Sequence, residues 1–308
     1  MNKIKVAIVG FGNVGAMALE SVINEPDMEF VGVVDTAGKV CITSRINPGR
    51  CNCDDPKIPT YQSLKEIPHV DVALICSPSR KVKEIATGIL ELGINTVDSF
   101  DIHSEIINLR NSLDTVAKAN GKVSIISAGW DPGINSVMRA WFLAMAPKGI
   151  TYTNYGPGMS MGHTVAVKAI EGVKNALSIT VPAGMGIHRR MVYVELQPDV
   201  DFKTIEQRIK QDPYFVKDKT YVFQVPDVNA LIDVGHGVLM ERNGVSGSTH
   251  NQHLRFELRI NNPALTAQVM VSAARATMKQ NPGCYTMIEV PVIDFLNGDV
   301  ENFVKNLV

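Results

Sequence analysis

The segment KIKVAIVGFGNVG at residues 3–15 decides the fold of this 308-residue chain. Its first half is an apolar run typical of a buried strand, and residues 13–24 favour a helix. Three glycines follow the strand. Gly10 permits a tight turn, Gly12 lets the backbone approach a phosphate, and Gly15, in the first turn of the helix, lets the helix pack close to the strand. The segment therefore predicts a dinucleotide pyrophosphate bound at a helix N-terminus.

Strand-like runs alternate with helical stretches through the first third of the chain. We expect strands at 4–9, 29–35, 71–76, 94–98 and 122–127, and helices at 13–24, 80–92 and 103–119. This order predicts an α/β domain with a doubly wound parallel sheet of the Rossmann type. A Gly/Pro/Cys/Asn-rich excursion interrupts it at 36–59.

The pattern changes near residue 150. Polar and apolar residues alternate at Gly184–Leu196 and His253–Ile260, which favours antiparallel strands, and helices are expected at 163–176 and 201–212. We expect a dinucleotide-binding domain at 1–125, with 263–308 packing back on it through an amphipathic helix at 263–280. Residues 126–262 would form an α+β substrate-binding and dimerisation domain. Its antiparallel sheet needs a cover on its open face, so we expect a homodimer.

The composition describes an ordinary globular protein with 45% hydrophobic and 20% charged residues. A formal net charge of −1 indicates neither a nucleic acid nor an anionic membrane as partner. The chain begins in a strand rather than a signal segment, and no apolar run approaches the roughly 20 residues of a membrane span. We expect a cytoplasmic protein.

The five cysteines form an odd set without a disulfide framework. A metal clip at Cys51 and Cys53 would need a second ligand pair at suitable spacing, which the sequence lacks. Reduced thiols in a solvated loop are the simpler account, and no metal site is expected.

Ligands of parallel sheets bind at the carboxyl ends of the strands. The residues predicted to bind the cofactor there are Gly10, Gly12, Asn13, Val14, Gly15, Asp35, Thr36, Cys76, Ser77, Pro78, Ser79, Asp98, Ser99 and Phe100. Asp35 ends the second strand, where a carboxylate accepts hydrogen bonds from the ribose hydroxyls and repels a 2′-phosphate. This favours NAD over NADP, unless Lys39, Arg45 or Arg50 folds over to neutralise the phosphate.

Three carboxylates, Asp98, Asp101 and Asp131, leave strand ends at the same predicted edge. Helix capping explains Asp101, which precedes a helix, but hardly all three. Several carboxylates at one crevice suit a substrate ammonium. In the second half, Arg190 can hold a carboxylate through its guanidinium fork.

From end to end the chain resembles the meso-diaminopimelate dehydrogenases, which reductively aminate a keto acid at a D-configured centre. The segments that carry the resemblance are VAIVGFGNVG, VDSFD, SAGWDPG, YGPGMSMGH, INNPALTA and Ile288-Glu289-Val290-Pro291. The resemblance implies that Asp101 and Asp131 lie against the reacting D-centre, with Asp98 close by. It implies that Tyr155, Met161 and Gly162 line the middle of the substrate, and that Thr180, Arg190, His236 and Asn262 hold its distal L-configured end.

The implied activity is the reversible NAD(P)-dependent oxidative deamination of meso-2,6-diaminopimelate at its D-centre. The products are L-2-amino-6-oxopimelate and ammonia, a reaction of lysine biosynthesis, and Asp131 or Asp98 is the candidate base. Alternatives are a dehydrogenase of another amino acid or diamine on the same fold, and a non-catalytic redox sensor that binds the dinucleotide.

The chain departs from the family at two places. The longer-chain branch has tryptophan in place of Tyr155 and glutamine in place of Met161. The present chain is more similar to the shorter-chain branch, which accepts simpler D-amino acids. The family usually uses NADP and carries arginine where this chain has Asp35-Thr36-Ala37.

Overall fold

The computed structural model describes residues 3–35, 58–231 and 235–308. The chain divides into two compact units, one of residues 1–140 with 263–308 and one of residues 141–262. Thr36 and the alternative cations Lys39, Arg45 and Arg50 lie outside the described residues, as do Cys41, Cys51 and Cys53. Within the described ranges, no helix combines the length and apolar character that a membrane crossing requires.

The described strands and helices are numbered in chain order. The strands are β1 Ile4–Val9, β2 Met28–Val34, β3 Thr60–Tyr61, β4 Val72–Ile75, β5 Asn95–Asp98, β6 Val123–Ile126, β7 Lys148–Tyr155, β8 Gly158–Met159, β9 Val173–Gly184, β10 Ile187–Leu196, β11 Lys219–Gln224, β12 Gly235–Ser246, β13 Thr249–Asn261 and β14 Gly283–Thr286. The α-helices are α1 Asn13–Asn24, α2 Ser79–Glu91, α3 Ile106–Ala119, α4 Ile134–Met145, α5 Met161–Lys168, α6 Phe202–Gln211, α7 Asn262–Thr277 and α8 Val300–Leu307. Short 3₁₀ helices include His103–Glu105 and Met287–Glu289.

The first unit contains a seven-stranded sheet in the order β14-β6-β5-β4-β1-β2-β3, and its paired strands run parallel. Alternate residues of β1 enter two hydrophobic clusters, Val6 and Ile8 on one side and Ala7 on the other. All three are fully buried, as expected for a central strand covered on both faces. The predicted doubly wound parallel sheet is confirmed.

Helix α7 returns the chain to the first unit. The sequence predicts an amphipathic helix here, but α7 is buried along nearly its whole surface, and four of its five alanines enter the same cluster as Val6. Its one buried cation, Arg275, donates to Asp27 Oδ2 at 2.6 Å and to Glu25 Oε2 at 2.7 Å. The Arg275 hydrogen bond lowers the pKa of Asp27. This ion pair ties the returning helix to the loop before β2.

The boundary after the first unit lies at 140/141 rather than at the expected 125/126. Ile134 and Val137, in the first half of α4, pack against the hydrophobic cluster of the first unit. The Ala128 N–H also donates to the Asp98 carbonyl at 2.7 Å. The loop after β6 therefore belongs to the first unit.

The second unit contains two further sheets, in the orders β11-β10-β9-β8 and β13-β12-β7. All pairs are antiparallel except β10 with β11, so the predicted antiparallel sheet is confirmed with one parallel pair added. The expected helix at 163–176 is wrong beyond Lys168. Gly172, at a left-handed φ of +95°, follows the helix, and Val173 already begins β9.

Candidate active site

The glycine turn between β1 and α1 has the shape that a pyrophosphate requires. Gly10 has φ +90°, and a Cβ there would lie 2.9 Å from the Cys76 carbonyl oxygen, while a Cβ on Gly15 would lie 2.3 Å from the Gly10 oxygen. A Cβ on Gly12 would meet nothing within 4 Å. Gly12 is the N-cap of α1, and because it has no side chain, the first backbone N–H groups of the helix receive no side-chain cap from it. The turn is thus tight at its base and open at the helix N-terminus, where Asn13 and Val14 begin the helix.

The Asp35 side chain is hydrogen-bonded to the backbone of this turn. Its Oδ2 accepts a hydrogen bond from the Phe11 N–H at 2.7 Å. On the other side of β1, the Cys76 N–H donates to the Val9 carbonyl at 2.8 Å, which places Cys76 and Ser77 next to Gly10. The predicted cofactor residues of β1, β2 and β4 are therefore brought to one edge of the sheet. Pro78 and Ser79 follow Ser77 at the start of α2.

Asp98 is a buried link between two strand-end loops. It is the last residue of β5 and is fully buried. Its Oδ1 accepts from the Phe100 N–H at 2.9 Å and from the Ser127 N–H at 3.1 Å. Burial raises the pKa of Asp98 to about 6, against the opposing effect of these two hydrogen bonds. Its Oδ2 and the Ser127 hydroxyl lack hydrogen-bond partners within the described residues.

The loop 127–133 carries Asp131 in a compact fold. The Gly129 N–H donates to the Pro132 carbonyl at 3.1 Å, and the Asn135 N–H donates to the Trp130 carbonyl at 2.9 Å. Gly133 has φ +133°, and a Cβ there would lie 1.9 Å from the Gly129 oxygen. Only glycine fits at residue 133, so the backbone beside Asp131 is closely constrained.

The Asp131 carboxylate is held by a cation in the second turn of α4. Arg139 Nη1 donates to Asp131 Oδ1 at 3.0 Å, and His103 Nε2 lies 3.9 Å from Oδ2. The Asp131 side chain is only 7% exposed. The third carboxylate, Asp101, is exposed and accepts from the Ser79 hydroxyl at 2.6 Å. This bond joins Asp101 to the segment beside the glycine turn.

In the second unit, the segment 156–160, which contains β8, packs tightly against two other strands. A Cβ on Gly156 would lie 2.3 Å from the Thr180 oxygen, and one on Gly158 would lie 2.2 Å from the Gly235 oxygen and 2.7 Å from His236 Cα. The segment therefore brings Thr180 and His236 to neighbouring positions. His236 is buried, and its Nδ1 lies 2.7 Å from the Gly237 N–H.

The half-buried Tyr155 is oriented by a histidine. Its N–H donates to His188 Nε2 at 2.7 Å, and the two rings lie 5.4 Å apart. Met161 and Gly162 open α5, and Met161 packs against Met159, Leu177 and Val228. Asn262 begins α7 directly after Asn261, the partner of Gly235 in the β12–β13 pair.

Arg190 lies at the centre of a polar cluster in the second unit. It faces Thr180 across the β9–β10 pair and hydrogen-bonds to the Thr180 hydroxyl. Its Nε donates to Asp218 Oδ2 at 2.6 Å. Burial and then the Arg190 charge lower the pKa of His163 to about 4 and also lower the pKa of His188. Both imidazoles are therefore neutral near pH 7.

The sequence singles out His188 in the polar run His188-Arg189-Arg190, and it lies two residues before Arg190 on the same strand and so on the same face. Sequence reasoning did not assign Arg139 or Asp218 to these clusters. Arg139 and Asp218 carry no such signal, because their contacts depend on the packing of α4 and on the pairing of β10 with β11. Among the described residues, no group of three metal-ligating side chains comes together.

Replacing Asp98 by Asn should weaken the dependence of thermal stability on pH. The folded-state pKa of about 6 lies above the unfolded value of 3.8. The protonated Asp98 carboxyl therefore contributes its full stabilisation of the fold below pH 3.8, and this stabilisation is lost as the pH rises through 6. A shift of this size corresponds to about 3 kcal/mol. Asn removes the titration and keeps an oxygen acceptor for the two backbone N–H groups.

The measurement is the melting temperature of both proteins from about pH 4 to pH 8. Relative to wild type, Asp98→Asn should gain stability as the pH rises. Asp212→Asn is the matched control, because Asp212 also accepts a backbone N–H, from Tyr214 at 2.8 Å, and lies away from the sheet of Asp98. Parallel curves for wild type and Asp98→Asn would contradict the assignment.

Comparisons with known proteins agree with this geometry. Residues 129–262 match the family model of the diaminopimelic acid dehydrogenase C-terminal domain. Residues 4–98 match the oxidoreductase family model with an NAD-binding Rossmann fold, so the cofactor is a nicotinamide dinucleotide. The chain is 56% identical over 308 residues to a meso-diaminopimelate D-dehydrogenase of Bacteroides fragilis, with 100% of both chains covered. It is 34% identical to the one from Lysinibacillus sphaericus, covering 94% of this chain and 95% of that relative.

Solved structures give the same result. The C. glutamicum diaminopimelate dehydrogenase in complex with diaminopimelate has a TM-score of 0.88 at 27% identity, with 100% of both chains covered. An engineered D-amino acid dehydrogenase bound to NADP+ has a TM-score of 0.86 at 26% identity, again over 100% of both chains. By its sequence identity over the full length and by the domain model that it matches, the chain belongs to the meso-diaminopimelate D-dehydrogenase family.

Proposed function

We propose that this chain is a cytoplasmic enzyme that oxidatively deaminates the D-centre of meso-2,6-diaminopimelate, using a nicotinamide dinucleotide. The observation that carries the proposal is the placement of Asp101 and Asp131, whose loops are held by the buried Asp98, at the strand ends that also hold the glycine turn. Carboxylates there suit an ammonium substrate beside a hydride acceptor. The cytoplasmic assignment is supported by the free thiols of Cys76 and Cys284.

The reaction requires a base, because only a neutral amine can expel hydride from its own α-carbon. A nicotinamide held at the glycine turn would supply the hydride acceptor, and water would hydrolyse the resulting substrate imine to the keto acid and ammonia. We assign the base to Asp131, whose carboxylate is fixed by Arg139. The other candidate, Asp98, is fully buried, and both its hydrogen bonds go to backbone groups. We assign Asp98 to holding the loops of Asp101 and Asp131 in place.

Replacing Asp131 by Asn should lower kcat by about a hundredfold or more, the usual contribution of a general base. Dinucleotide affinity should stay unchanged, because Asp131 is not among the predicted cofactor residues. The kcat is measured by absorbance at 340 nm with meso-diaminopimelate, and the dinucleotide affinity is measured by fluorescence titration. Asp71→Asn is the control. A kcat within about threefold of wild type would remove Asp131 from the reaction. A wild type without any absorbance change at 340 nm would instead revive the redox-sensor alternative.

We propose NAD as the preferred cofactor. Asp35 lies at the glycine turn through its bond to Phe11, at the end of β2, where the adenosine ribose binds in sheets of this type. A carboxylate there favours ribose hydroxyls and repels a 2′-phosphate. The NADP+ in the engineered relative is a property of that protein, so the preference of this chain needs a direct test.

The test compares kcat/KM for NAD and NADP in the wild type, Asp35→Ala and Asp71→Ala. The wild type should prefer NAD, and Asp35→Ala should shift the ratio toward NADP by about tenfold, because one charge repulsion is removed. Asp71→Ala also removes a backbone acceptor, but at the far end of the strands, and should leave the ratio unchanged. A wild type that prefers NADP would contradict the cofactor proposal and leave the deaminase proposal intact.

The distal end of the substrate is assigned to the second unit. Thr180, Arg190, His236 and Asn262 would hold it, with Tyr155, Met161 and Gly162 along the middle. Support comes from the cluster around Arg190, a cation suited to a carboxylate. Met161, which packs against an apolar cluster, has an apolar and adaptable side chain and constrains a ligand less than an amide would. Simpler D-amino acids are therefore proposed as additional substrates.

We propose that the enzyme is a homodimer assembled through the second unit. Trp141 is 55% exposed and Ile150 59%, and β13 is an edge strand with half-buried Phe256 and Leu258 on one face. Apolar surface of this kind is commonly covered by a partner.

Light scattering should give about twice the 33.6 kDa of one chain. Trp141→Glu should shift the mass toward the monomer, and Val300→Glu in α8 should not; a monomeric wild type would contradict the proposal.

A further inference from the structure

The pairing of Arg190 with Asp218 is built into the sheet. Asp218 immediately precedes β11, which runs parallel to β10 with Arg189 opposite Lys219. This register sets the Asp218 carboxylate beside the Arg190 guanidinium, with Nε to Oδ2 at 2.6 Å. The side chains are only 12% and 20% exposed. The contact is therefore a fixed, partly desolvated ion pair rather than a loose surface contact.

The pair gives this cluster a balanced charge. The neighbouring imidazoles of His163 and His188 have lowered pKa values and contribute no positive charge near pH 7. Asp218 therefore offsets the charge of Arg190. A site built to bind a carboxylate alone gains from an unopposed cation, and a neighbouring carboxylate weakens it. A zwitterion, in contrast, presents one group for each member of the pair.

The hydrogen bonds leave each member with capacity for such a ligand. Arg190 uses Nε for Asp218 and Nη1 for Thr180, and a guanidinium carries five N–H donors. Asp218 uses Oδ2 for Arg190, and its Oδ1 makes no hydrogen bond within the described part of the chain. A carboxylate oxygen on a side chain that still reaches solvent is a natural acceptor for an ammonium group.

We propose that Arg190 and Asp218 together recognise the distal α-amino-acid end of the substrate, Arg190 binding its carboxylate and Asp218 its ammonium. Asp218 is thereby a specificity-determining residue that distinguishes diaminopimelate from a dicarboxylate of equal length without the distal amine. This inference rests on the proposed function, which places the distal end of the substrate at Arg190.

The test compares two substrates that differ only in the distal amine, meso-diaminopimelate and D-2-aminopimelate. In the wild type, the KM of D-2-aminopimelate should exceed that of meso-diaminopimelate by about tenfold, the value of one charge-assisted hydrogen bond. In Asp218→Asn, the KM of meso-diaminopimelate should rise by about the same factor, and that of D-2-aminopimelate should stay within about twofold. The control is Asp227→Asn, the same change at an exposed aspartate of the same unit.

Three results would overturn the inference. Equal KM values for the two substrates in the wild type would do so without any variant, which covers the case of an unfolded Asp218→Asn. An equal rise for both substrates in Asp218→Asn would show that Asp218 only orients Arg190. No change for either would remove Asp218 from recognition.

Arg190→Gln separates this inference from the function on which it rests. It should raise the KM of both substrates, because both carry the distal carboxylate. If it raises neither, the distal assignment fails, and the inference fails with it. If it raises both while Asp218→Asn does not discriminate between them, only the inference fails.

Discussion

The buried carboxylate of Asp98 is the constraint on which the arrangement of the loops at the carboxyl edge of the parallel sheet depends. Two backbone N–H groups, from Phe100 and Ser127, converge on one oxygen of a side chain that water does not reach. Each of these bonds fixes the first residues of a loop, one leading to Asp101 and the other to Asp131. A charged group is costly to bury, and its raised pKa reflects that cost. The cost is offset by the order imposed on two loops that carry the carboxylates proposed to face the substrate.

The carboxylates at this edge differ in role because their surroundings differ. Asp98 is enclosed and holds backbone, Asp131 is paired with Arg139, and Asp101 is exposed beside Ser79. The same principle operates in the second unit, where Arg190 is opposed by Asp218. Both units therefore pair a charge that we propose to bind the ligand with an opposite charge of the chain. Such pairing fixes the direction of each group before the ligand arrives, which is the basis of preorganised catalysis.

Local sequence pattern predicted the parts of the fold that depend on local chemistry. The glycine roles at residues 10, 12 and 15 follow from steric limits on a strand–turn–helix, and the structure shows the corresponding close contacts and open space. The strand ends could be placed together because parallel strands share a carboxyl edge. The predicted helix was wrong beyond Lys168, because the left-handed Gly172 follows the helix and β9 begins at Val173.

Other features could not be predicted because they depend on register and packing between distant segments. Nothing near Asp218 in the sequence indicates that it faces Arg190, because their approach follows from the parallel pairing of β10 with β11 across helix α6. The burial of Asp98 likewise depends on how β5 and β6 end together. The resemblance to a family supplied the distal residues, yet it did not indicate that the chain already carries an opposing carboxylate there.

The most direct test of the account follows the hydrogen that leaves the substrate. Two samples of meso-diaminopimelate are prepared, one with deuterium on the α-carbon of the D-centre and one with deuterium on the α-carbon of the L-centre. After oxidation, mass spectrometry of the reduced nicotinamide should find the label only from the D-centre sample. Label arriving from the L-centre, or from both, would contradict the assignment of the carboxylate edge to the D-centre and of the Arg190 cluster to the distal end.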